Sequence, residues 1–502
     1  MNLLQSFVSG VGACFVPLTL IVIIVGSIIS TVVGIIPVLG GTLVVTLTIP
    51  FITGADPAII LPFLIALDSV SCTGGSVTAI LLNVPGDVVN AATMIDGYPM
   101  TRKGEGGRAI GAALGSSLVG GAMAVPLALL MIPLLIKFIL LFKSPEMFML
   151  VMVGLCCISV LTTKGHTVEG IISALLGILF STIGAQASTG VSRFTFGYVY
   201  LYNGIPVPIA TLAFFAIPAL IGMLEIRENL NMSITKDDRL QMIRGLRDVW
   251  RHRWLVIRSM VIGYAIGVLP GIGAGASTFM CYGIAKKQSK HPEEFGRGAV
   301  EGVIAPEAAN NAKEAGALLT TLALGIPGSA TMAIIMSALV VLGIAPGPSM
   351  LTKQTSLCIT MLTAVALANI VAVLLVWLLG PTLTKITRIK PVYLFAVVLP
   401  LVFIGTYSKN LYPVHLLIVF LMGIAGYCFK KFRYASPAFL LGFILGGNVE
   451  DYFWKCMKLY GWKFVISSPI SVALLLCCIL IVFSQPLKRC VRALRQKNSP
   501  AR

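Results

Sequence analysis

The sequence predicts an all-α polytopic membrane protein built from two related repeats, in which broken or re-entrant helices form a central site. Three observations lead to this fold class. The 502 residues are 57% hydrophobic and only 11% charged, whereas a soluble domain carries about 25% charged residues. Apolar runs of about 20 residues, the length that spans a bilayer, recur along the chain. Two motifs rich in glycine and proline occur twice in the same order.

The apolar runs predict the membrane passes in order along the chain. Those long enough to cross are 14–33, 109–135, 168–187, 207–224, 354–380, 391–407, 411–429 and 465–484. Shorter segments interrupted by Gly or Pro raise the expected number of passes to roughly 10–12. The predicted domains are a first membrane repeat at 1–224, a cytoplasmic polar linker at 225–253, a second membrane repeat at 254–485 and a basic cytoplasmic tail at 486–502.

The net charge of +18 is concentrated in short hydrophilic connections. Basic residues cluster at 102–108, 227–258, 385–390, 430–433 and 488–502. The positive-inside rule places these segments and the C-terminus in the cytoplasm, so the charge indicates topology and not nucleic-acid binding. On this interpretation Asp96 belongs to one cytoplasmic loop with Arg102, Lys103 and Glu105. The side that the N-terminus faces stays open.

The repeated motifs align at fixed offsets. G-I-I-P-V-L-G (34–40) matches G-V-L-P-G-I-G (267–273) at an offset of 233, and L-N-V-P-G (82–86) matches L-G-I-P-G (324–328) at an offset of 242. Gly74 and Gly316 fit the second offset. Two ordered blocks favour an internal duplication. We expect the two copies to be inverted in the membrane, although periodicity does not decide their orientation.

These motifs predict helices broken at membrane depth, which in matched halves indicate the midplane site of a secondary transporter. One broken end exposes N–H groups that favour an anion, and the other exposes carbonyls that coordinate Na⁺. The alternative is that Gly and Pro only kink the helices and let them pack closely. The predicted substrate-binding residues are Gly40, Gly41, Thr42, Ser76, Pro270, Gly271, Gly273, Gly275, Pro327, Gly328, Ser329 and Thr331. The predicted cation-binding residues are Asp68, Asn83, Pro85, Gly86, Asn310, Asn311 and Gly325.

Asp68, in F-L-I-A-L-D-S-V-S, is the acidic residue that lies deepest in an apolar run. An ionisable residue inside a membrane protein is a functional candidate. Two interpretations stay open for Asp68, a role in binding the coupling ion and a structural carboxylate with satisfied partners. Lys313 and Glu314 are interpreted as pairing with their neighbours.

No catalytic or cofactor site is predicted. The chain lacks the P-loop pattern G-x-x-x-x-G-K-[ST], and its eleven cysteines and four histidines show no metal-ligand spacing. G-V-L-P-G-I-G-A-G (267–275) has the glycines of a dinucleotide loop but lacks the flanking strand and contains Pro270. The N-terminus shows no basic region and no cleavage site of a signal peptide. We therefore expect no enzyme activity, no metal beyond Na⁺, and no cofactor other than a coupled Na⁺ or H⁺.

Several segments resemble the large membrane subunit of tripartite tricarboxylate transporters, the TctA family. In the second half they are G-V-L-P-G-I-G (267–273), S-K-H-P-E-E-F-G-R-G-A-V-E-G-V-I-A-P-E-A-A-N-N-A (289–312) and L-A-L-G-I-P-G-S-A-T (322–331). In the first half they are G-G-S-V-T-A-I-L-L-N-V-P-G (74–86) and D-G-Y-P-M-T-R-K-G (96–104). The chain departs from the family pattern at Val38, Val84, Asp87 and Asp68, where an altered substrate or cation preference is expected.

The resemblance implies a multi-pass carrier in the bacterial cytoplasmic (inner) membrane. It further implies uptake of a di- or tricarboxylate, or a related organic anion, by symport with Na⁺ or H⁺. The implied partners are a small four-helix membrane subunit and a periplasmic substrate-binding protein, and the preferred mechanism is an elevator-like movement. The rival interpretation is a channel, or a non-transporting scaffold for the binding protein. The carboxylate, the coupling ion and the oligomeric state, including a homodimer, stay open.

Overall fold

The computed structural model describes residues 3–36, 40–139, 141–162, 167–186, 190–225, 236–269, 274–383, 391–408 and 412–481. The chain is helical through most of these ranges, and they contain one antiparallel pair of short strands, β1 (Gly184–Ala185) and β2 (Ser192–Arg193). The predicted class, an all-α membrane protein, is confirmed. Pro270, Gly271 and Gly273, part of the linker (226–235) and the basic tail lie outside the described residues.

The α-helices follow one another with short connections. They are α1 (Leu3–Cys14), α2 (Pro17–Ile35), α3 (Gly40–Thr48), α4 (Pro57–Ser69), α5 (Ser71–Leu82), α6 (Ala91–Arg102), α7 (Gly106–Ile139), α8 (Ser144–Thr162), α9 (Thr167–Ser181), α10 (Val207–Thr211), α11 (Ile217–Glu225), α12 (Lys236–Arg251), α13 (Arg253–Val268), α14 (Ala274–Gln288), α15 (Glu301–Leu324), α16 (Ala330–Val341), α17 (Pro348–Lys353), α18 (Thr355–Leu383), α19 (Pro391–Ser408), α20 (Val414–Lys431), α21 (Ser436–Tyr460) and α22 (Pro469–Ile481). Single 3₁₀ turns lie at Ile49–Phe51, Val88–Asn90, Val199–Leu201, Pro292–Glu294 and Gly461–Ile466, and Leu212–Ala216 is a π-helix.

Among the described residues, five helical stretches are long and apolar enough to cross a bilayer. They are Pro17–Ile35, Pro57–Leu82, Gly106–Lys137, Thr355–Leu379 and Val414–Lys431. A sixth is the pair Ser436–Ile466 and Pro469–Ile481, bent by 69° at its break. Shorter apolar helices of 10–17 residues occur as well among the described residues. Because length and composition do not decide which of these cross, the total of 10–12 passes stays a prediction.

The helices form two compact units. The first consists of Met1–Lys137 and Pro208–Tyr427, and the second of Phe138–Val207 and Cys428–Arg502. In the second unit α9 and α21 cross with backbone almost touching backbone, since a Cβ added to Gly442 would lie 2.1 Å from the carbonyl oxygen of Ala174. An ion pair joins Arg193 to Glu450 at 2.8 Å in the same unit. The described site residues all belong to the first unit.

The first unit contains the same helix crossing twice. α2 packs on α5 so closely that a Cβ added to Gly34 would lie 2.1 Å from the Ser71 carbonyl oxygen. α13 packs on α15 in the same way, with a Cβ on Gly267 lying 2.2 Å from the Lys313 carbonyl oxygen. Small residues allow this approach between membrane helices. The offsets of 233 and 242 relate the two pairs of residues, so the sequence duplication has a matching contact in the structure.

The helix ends that follow these crossings also match. α5 ends at Asn83 with φ of 59°, and α15 ends at Gly325 with φ of 68°. This left-handed conformation commonly closes a helix. A Cβ on Gly86 would then lie 2.4 Å from the Cα of Gly75, and one on Gly328 would lie 2.6 Å from the Cα of Ala317. Close packing therefore accounts for Gly34, Gly267, Gly86 and Gly328, of which Gly86 and Gly328 are also predicted site residues.

Candidate functional site

The first break separates α2, which ends at Ile35, from α3, which begins at Gly40. Gly40 takes a positive φ of 43°, a conformation that favours glycine. At Gly41 an added Cβ would lie 2.8 Å from the Cβ of Ser71 and 3.1 Å from the carbonyl oxygen of Leu67. The first turn of α3, whose backbone N–H groups have no partners within the helix, therefore lies against the junction of α4 and α5.

A second helix begins at the same place. Ser329 caps α16, because its side chain accepts a hydrogen bond from the Met332 N–H at 3.2 Å. Thr331, in the first turn of α16, is hydrogen-bonded to Thr42 in the first turn of α3, with 3.0 Å between the hydroxyl oxygens. The N-terminal ends of two helices from the two halves therefore meet. Both ends carry partial positive charge, because their first N–H groups have no carbonyl partner within the helix, and this favours an anion.

Asp68 lies next to this contact, at the end of α4. Its carboxylate lies close enough to the hydroxyl of Thr331 for the two groups to interact. The residue is 8% exposed, and its Oδ2 atom has no hydrogen-bond partner among the described residues. Asp68 is therefore a buried carboxylate with one acceptor position still open.

Lys313 and Glu314 on α15 complete the charged part of the site. The Lys313 ammonium is paired with Oε1 of Glu314, and both side chains are less than 10% exposed. Both also interact electrostatically with Asp68, and Oε2 of Glu314 has no partner among the described atoms. When all three groups are ionised, one negative charge is in excess. Because an uncompensated buried charge is costly, the arrangement favours a bound cation or proton.

Asn310 occupies the position in the second half that Asp68 occupies in the first, at the offset of 242. It is 1% exposed, and neither its side-chain oxygen nor its nitrogen has a partner among the described residues. It lies one turn before Glu314 on α15, where residues four apart are neighbours on the helix surface. The two halves thus place a buried, incompletely paired polar group at equivalent positions, one charged and one neutral.

A second polar cluster surrounds Glu307, which is fully buried. Its Oε1 accepts hydrogen bonds from Ser76 at 2.8 Å and Thr93 at 2.5 Å, and its Oε2 accepts one from Ser117 at 3.0 Å. Asn90 donates to Ser76 at 2.8 Å. The carboxylate therefore joins α15 to α5, α6 and α7. Ser76, predicted to bind substrate, is placed by the structure in this cluster.

The other predicted residues that the structure describes fall into four groups. Asn83 is an exposed helix end, and Pro85 is half-buried beside the buried Gly86. Asn311 is fully buried and already paired, since its amide donates to Thr73 at 3.1 Å and to Asn369 at 2.5 Å. Gly325, Pro327 and Gly328 form the turn between α15 and α16, where the Gly328 N–H donates to the hydroxyl of Thr321 at 3.3 Å. Gly275 lies in the first turn of α14.

Asp96 corrects the sequence interpretation, which assigned it to a cytoplasmic loop. It is fully buried in α6. Its Oδ1 accepts hydrogen bonds from the backbone N–H groups of Gly296, Gly298 and Ala299 at 2.7–3.0 Å, and its Oδ2 accepts one from Tyr282 at 2.8 Å. The positive φ values of Gly296 and Gly298, 85° and 105°, turn these N–H groups toward the carboxylate. Asp96 is therefore a satisfied structural acceptor.

The comparison with known proteins agrees with the sequence resemblance. The profile of the "Tripartite tricarboxylate transporter TctA family" matches residues 20–441. An "Uncharacterized 52.8 kDa protein in TAR-I ttuC' 3'region" of Agrobacterium vitis is 32% identical over 493 residues, which cover 96% of each chain. An "Uncharacterized protein in TAR-II ttuC' 3'region" of the same organism is 34% identical over 224 residues, 44% of this chain and 93% of the relative. No solved structure matches.

Proposed function

This chain belongs to the tripartite tricarboxylate transporter TctA family, and we propose that it imports a di- or tricarboxylate, or a related organic anion, by cation symport. The observation that carries the proposal is the contact of Thr42 with Thr331 beside Asp68. It joins the N-terminal ends of two broken helices, one from each half, to a buried charged cluster. Broken helices with this arrangement supply anion and cation sites in secondary transporters.

The two ligands are assigned to different parts of the site. The N-terminal turns of α3 and α16 bind a substrate carboxylate through backbone N–H groups and the hydroxyls of Thr42 and Thr331. Asp68, Glu314 and the side-chain oxygen of Asn310 hold the coupling ion, Na⁺ or H⁺, since they carry the open acceptor positions. A hard cation prefers such oxygen ligands.

Lys313 links binding of the coupling ion to binding of the substrate carboxylate. In the structure its ammonium is bound by Glu314 and lies in the field of Asp68. A cation or proton on these carboxylates weakens their hold on Lys313, which can then interact with the substrate carboxylate. Binding of the cation thus favours binding of the anion, which is the reciprocal coupling that symport requires.

The chain works with a small four-helix membrane subunit and a periplasmic substrate-binding protein, in the inner membrane with a cytoplasmic C-terminus, by elevator-like alternating access. The test uses proteoliposomes that contain all three proteins, labelled citrate and a panel of other carboxylates. Accumulation that depends on an imposed Na⁺ or proton gradient supports symport. Downhill flux without accumulation indicates a channel, and no flux indicates a scaffold.

Thr331→Val is expected to weaken carboxylate transport. The change keeps the shape of the side chain but removes the hydroxyl that is hydrogen-bonded to Thr42 and assigned to the substrate carboxylate. A hydrogen bond to a charged group contributes about 1.5–3 kcal/mol, so the apparent affinity for substrate should fall by roughly tenfold or more. Thr363→Val is the matched control, because the Thr363 hydroxyl bonds only the Ile359 carbonyl within its own helix. Equal uptake constants for the two variants would contradict the assigned site.

Asp68→Asn is expected to uncouple transport from the cation gradient. The variant places the same amide at both equivalent positions of the two halves and removes the excess negative charge from the site. Downhill exchange of carboxylate should persist, whereas gradient-driven accumulation should be lost. Flux in both directions is measured in proteoliposomes, with Asp56→Asn as the control at an exposed helix cap. Accumulation at the wild-type level by Asp68→Asn would restrict Asp68 to a structural role.

A further inference from the structure

Helix α12 carries two apolar faces, of which only one is covered by described residues. Met242 and Val249 are buried, and Gly245 packs on α7 with an added Cβ only 2.1 Å from the Arg108 carbonyl oxygen. The opposite face exposes large apolar side chains. Leu240 is 67% exposed, Ile243 49%, Trp250 74% and Trp254, at the start of α13, 73%. Leu240, Ile243 and Trp250 recur at helical spacing on one face of α12, and Trp254 follows just after its end. These four residues are here called the tryptophan stripe.

The position of α12 relative to the membrane follows from its contacts. The apolar stretch Gly106–Lys137 of α7 has 32 residues and is about 48 Å long, which exceeds the hydrocarbon core of ~30 Å. α12 contacts the first turns of α7 through Gly111 and Gly115. Arg239 of α12 also donates to the carbonyl oxygen of Leu378, near the end of the apolar stretch of α18. α12 therefore lies where two membrane helices reach the boundary between lipid and water.

The anchoring of α12 is specific. Nε of Arg108 donates to Oδ2 of Asp248 at 2.6 Å, and the amide of Gln241 donates to the carbonyl oxygen of Gly104 at 2.9 Å. These contacts orient the helix on α7 and turn the tryptophan stripe away from the part of the protein that the structure describes. His252 separates α12 from α13, and exposed apolar residues follow in α13, where Ile257 and Val261 are 41% and 45% exposed.

The charges beside the stripe indicate its occupant. Arg239, Arg244, Arg247, Arg251 and Arg253 are all exposed along or next to it. Arg247 lies within the stripe itself, seven residues from both Leu240 and Trp254. Tryptophan and arginine at a membrane boundary contact the headgroup region, and clustered arginines attract anionic lipids.

We propose that the tryptophan stripe of α12 and the arginines beside it form a binding surface for anionic phospholipid headgroups. The arginines bind the lipid phosphates while the indole rings of Trp250 and Trp254 insert at the level of the headgroups. The connection between the two halves of the chain is thereby held at the membrane surface. This inference does not depend on the transported substrate or on the coupling ion.

The test measures tryptophan quenching in the full-length chain reconstituted in vesicles. The chain has five tryptophans, so Trp377→Phe, Trp454→Phe and Trp462→Phe together leave Trp250 and Trp254 as the only reporters. Vesicles contain phosphatidylcholine and phosphatidylglycerol, with bromine on the acyl chains of one lipid or the other. We expect brominated phosphatidylglycerol to quench more strongly than the same fraction of brominated phosphatidylcholine. High salt should abolish the difference, because it screens the arginines.

Two sets of substitutions test whether the arginines cause the lipid preference and whether Trp250 and Trp254 report it. Arg244→Gln, Arg247→Gln and Arg251→Gln combined should remove the preference for the anionic lipid but leave quenching by both lipids. In the otherwise unmodified chain, the signal lost on Trp250→Phe with Trp254→Phe should show the same preference, which controls for misfolding of the triple-phenylalanine variant. Equal quenching by the two lipids would overturn the anionic-lipid assignment. No quenching by either lipid would show that water or protein covers the stripe, and would also overturn the proposal.

Discussion

Gly267→Ala is expected to abolish transport and to lower the thermal stability of the protein sharply. The new methyl group would lie 2.2 Å from the Lys313 carbonyl oxygen, which is backbone and cannot rotate away. α13 and α15 must then separate, and the shift would displace Lys313 and Glu314 from Asp68. Overpacking alone typically costs about 1–3 kcal/mol, and a clash with backbone belongs at or above the upper end. Thermal unfolding in detergent and uptake in proteoliposomes measure the two effects.

Gly34→Ala should have the same consequences, because its methyl group would meet the Ser71 carbonyl oxygen at 2.1 Å. Gly283→Ala in α14 is the matched control, since no atom lies within 4 Å of the added Cβ. There the change should be neutral or stabilise the helix by roughly 0.5–1 kcal/mol. If Gly267→Ala and Gly283→Ala have the same unfolding temperature and the same uptake, α13 and α15 do not cross as closely as described.

The sequence predicted the class of the protein and the positions of its breaks because both depend on local patterns. Apolar runs define the spans, and glycine and proline mark where helices end. The offset of 242 aligned Gly74 with Gly316 before any contact was known, and it also relates Ser71 to Lys313 and Asp68 to Asn310. A duplicated chain keeps its equivalent contacts in register, so a few matched glycines are sufficient to predict a repeated crossing.

The polar clusters could not be predicted in the same way, because their members come from distant parts of the chain. Thr42 and Thr331 are 289 residues apart, and Asp96 is 200 residues from Gly296, its first N–H donor. The sequence predicts a loop at Asp96 because Arg102 and Lys103 follow it in the same polar segment. No local pattern reveals that glycine N–H groups compensate its charge. Ser76 is predicted to bind the substrate because it is a small hydroxyl residue beside a helix break, whereas its partner Glu307 lies on α15.

The buried carboxylates of the first unit differ in how completely their oxygens are hydrogen-bonded. This difference separates a structural role from a functional one. Both oxygens of Glu307 accept hydrogen bonds from hydroxyls. Oδ1 of Asp96 accepts from backbone N–H groups, and its Oδ2 accepts from a tyrosine hydroxyl. Asp68 and Glu314 each keep an oxygen without a partner among the described residues. Buried polar atoms are paired almost everywhere in folded proteins. The incompletely paired carboxylates are therefore the ones expected to exchange a ligand, and the paired ones are expected to hold the helices together.

Glu307→Leu tests whether a fully paired carboxylate holds the helices together, and it is expected to destabilise the protein severely. Leucine leaves the hydroxyls of Thr93 and Ser117 buried without their acceptor, whereas the hydroxyl of Ser76 keeps the Cys72 carbonyl oxygen at 2.9 Å. Each unpaired buried donor costs about 1–3 kcal/mol, so the yield of folded protein and the unfolding temperature should both fall. Glu307→Gln keeps an acceptor oxygen and two donors in the same volume, and the hydroxyls can rotate to accept from its amide. It should therefore fold and retain transport.

Glu301→Leu at the start of the same helix is the comparison. The Glu301 side chain is 24% exposed and lies 3.6 Å from His252, a partly solvated pair whose loss costs at most about 1 kcal/mol. The expected order of stability is Glu301→Leu close to wild type, then Glu307→Gln, with Glu307→Leu far below. A Glu307→Gln variant that folds but does not transport would contradict the structural role of Glu307, because it would make the charge of Glu307 part of the transport cycle.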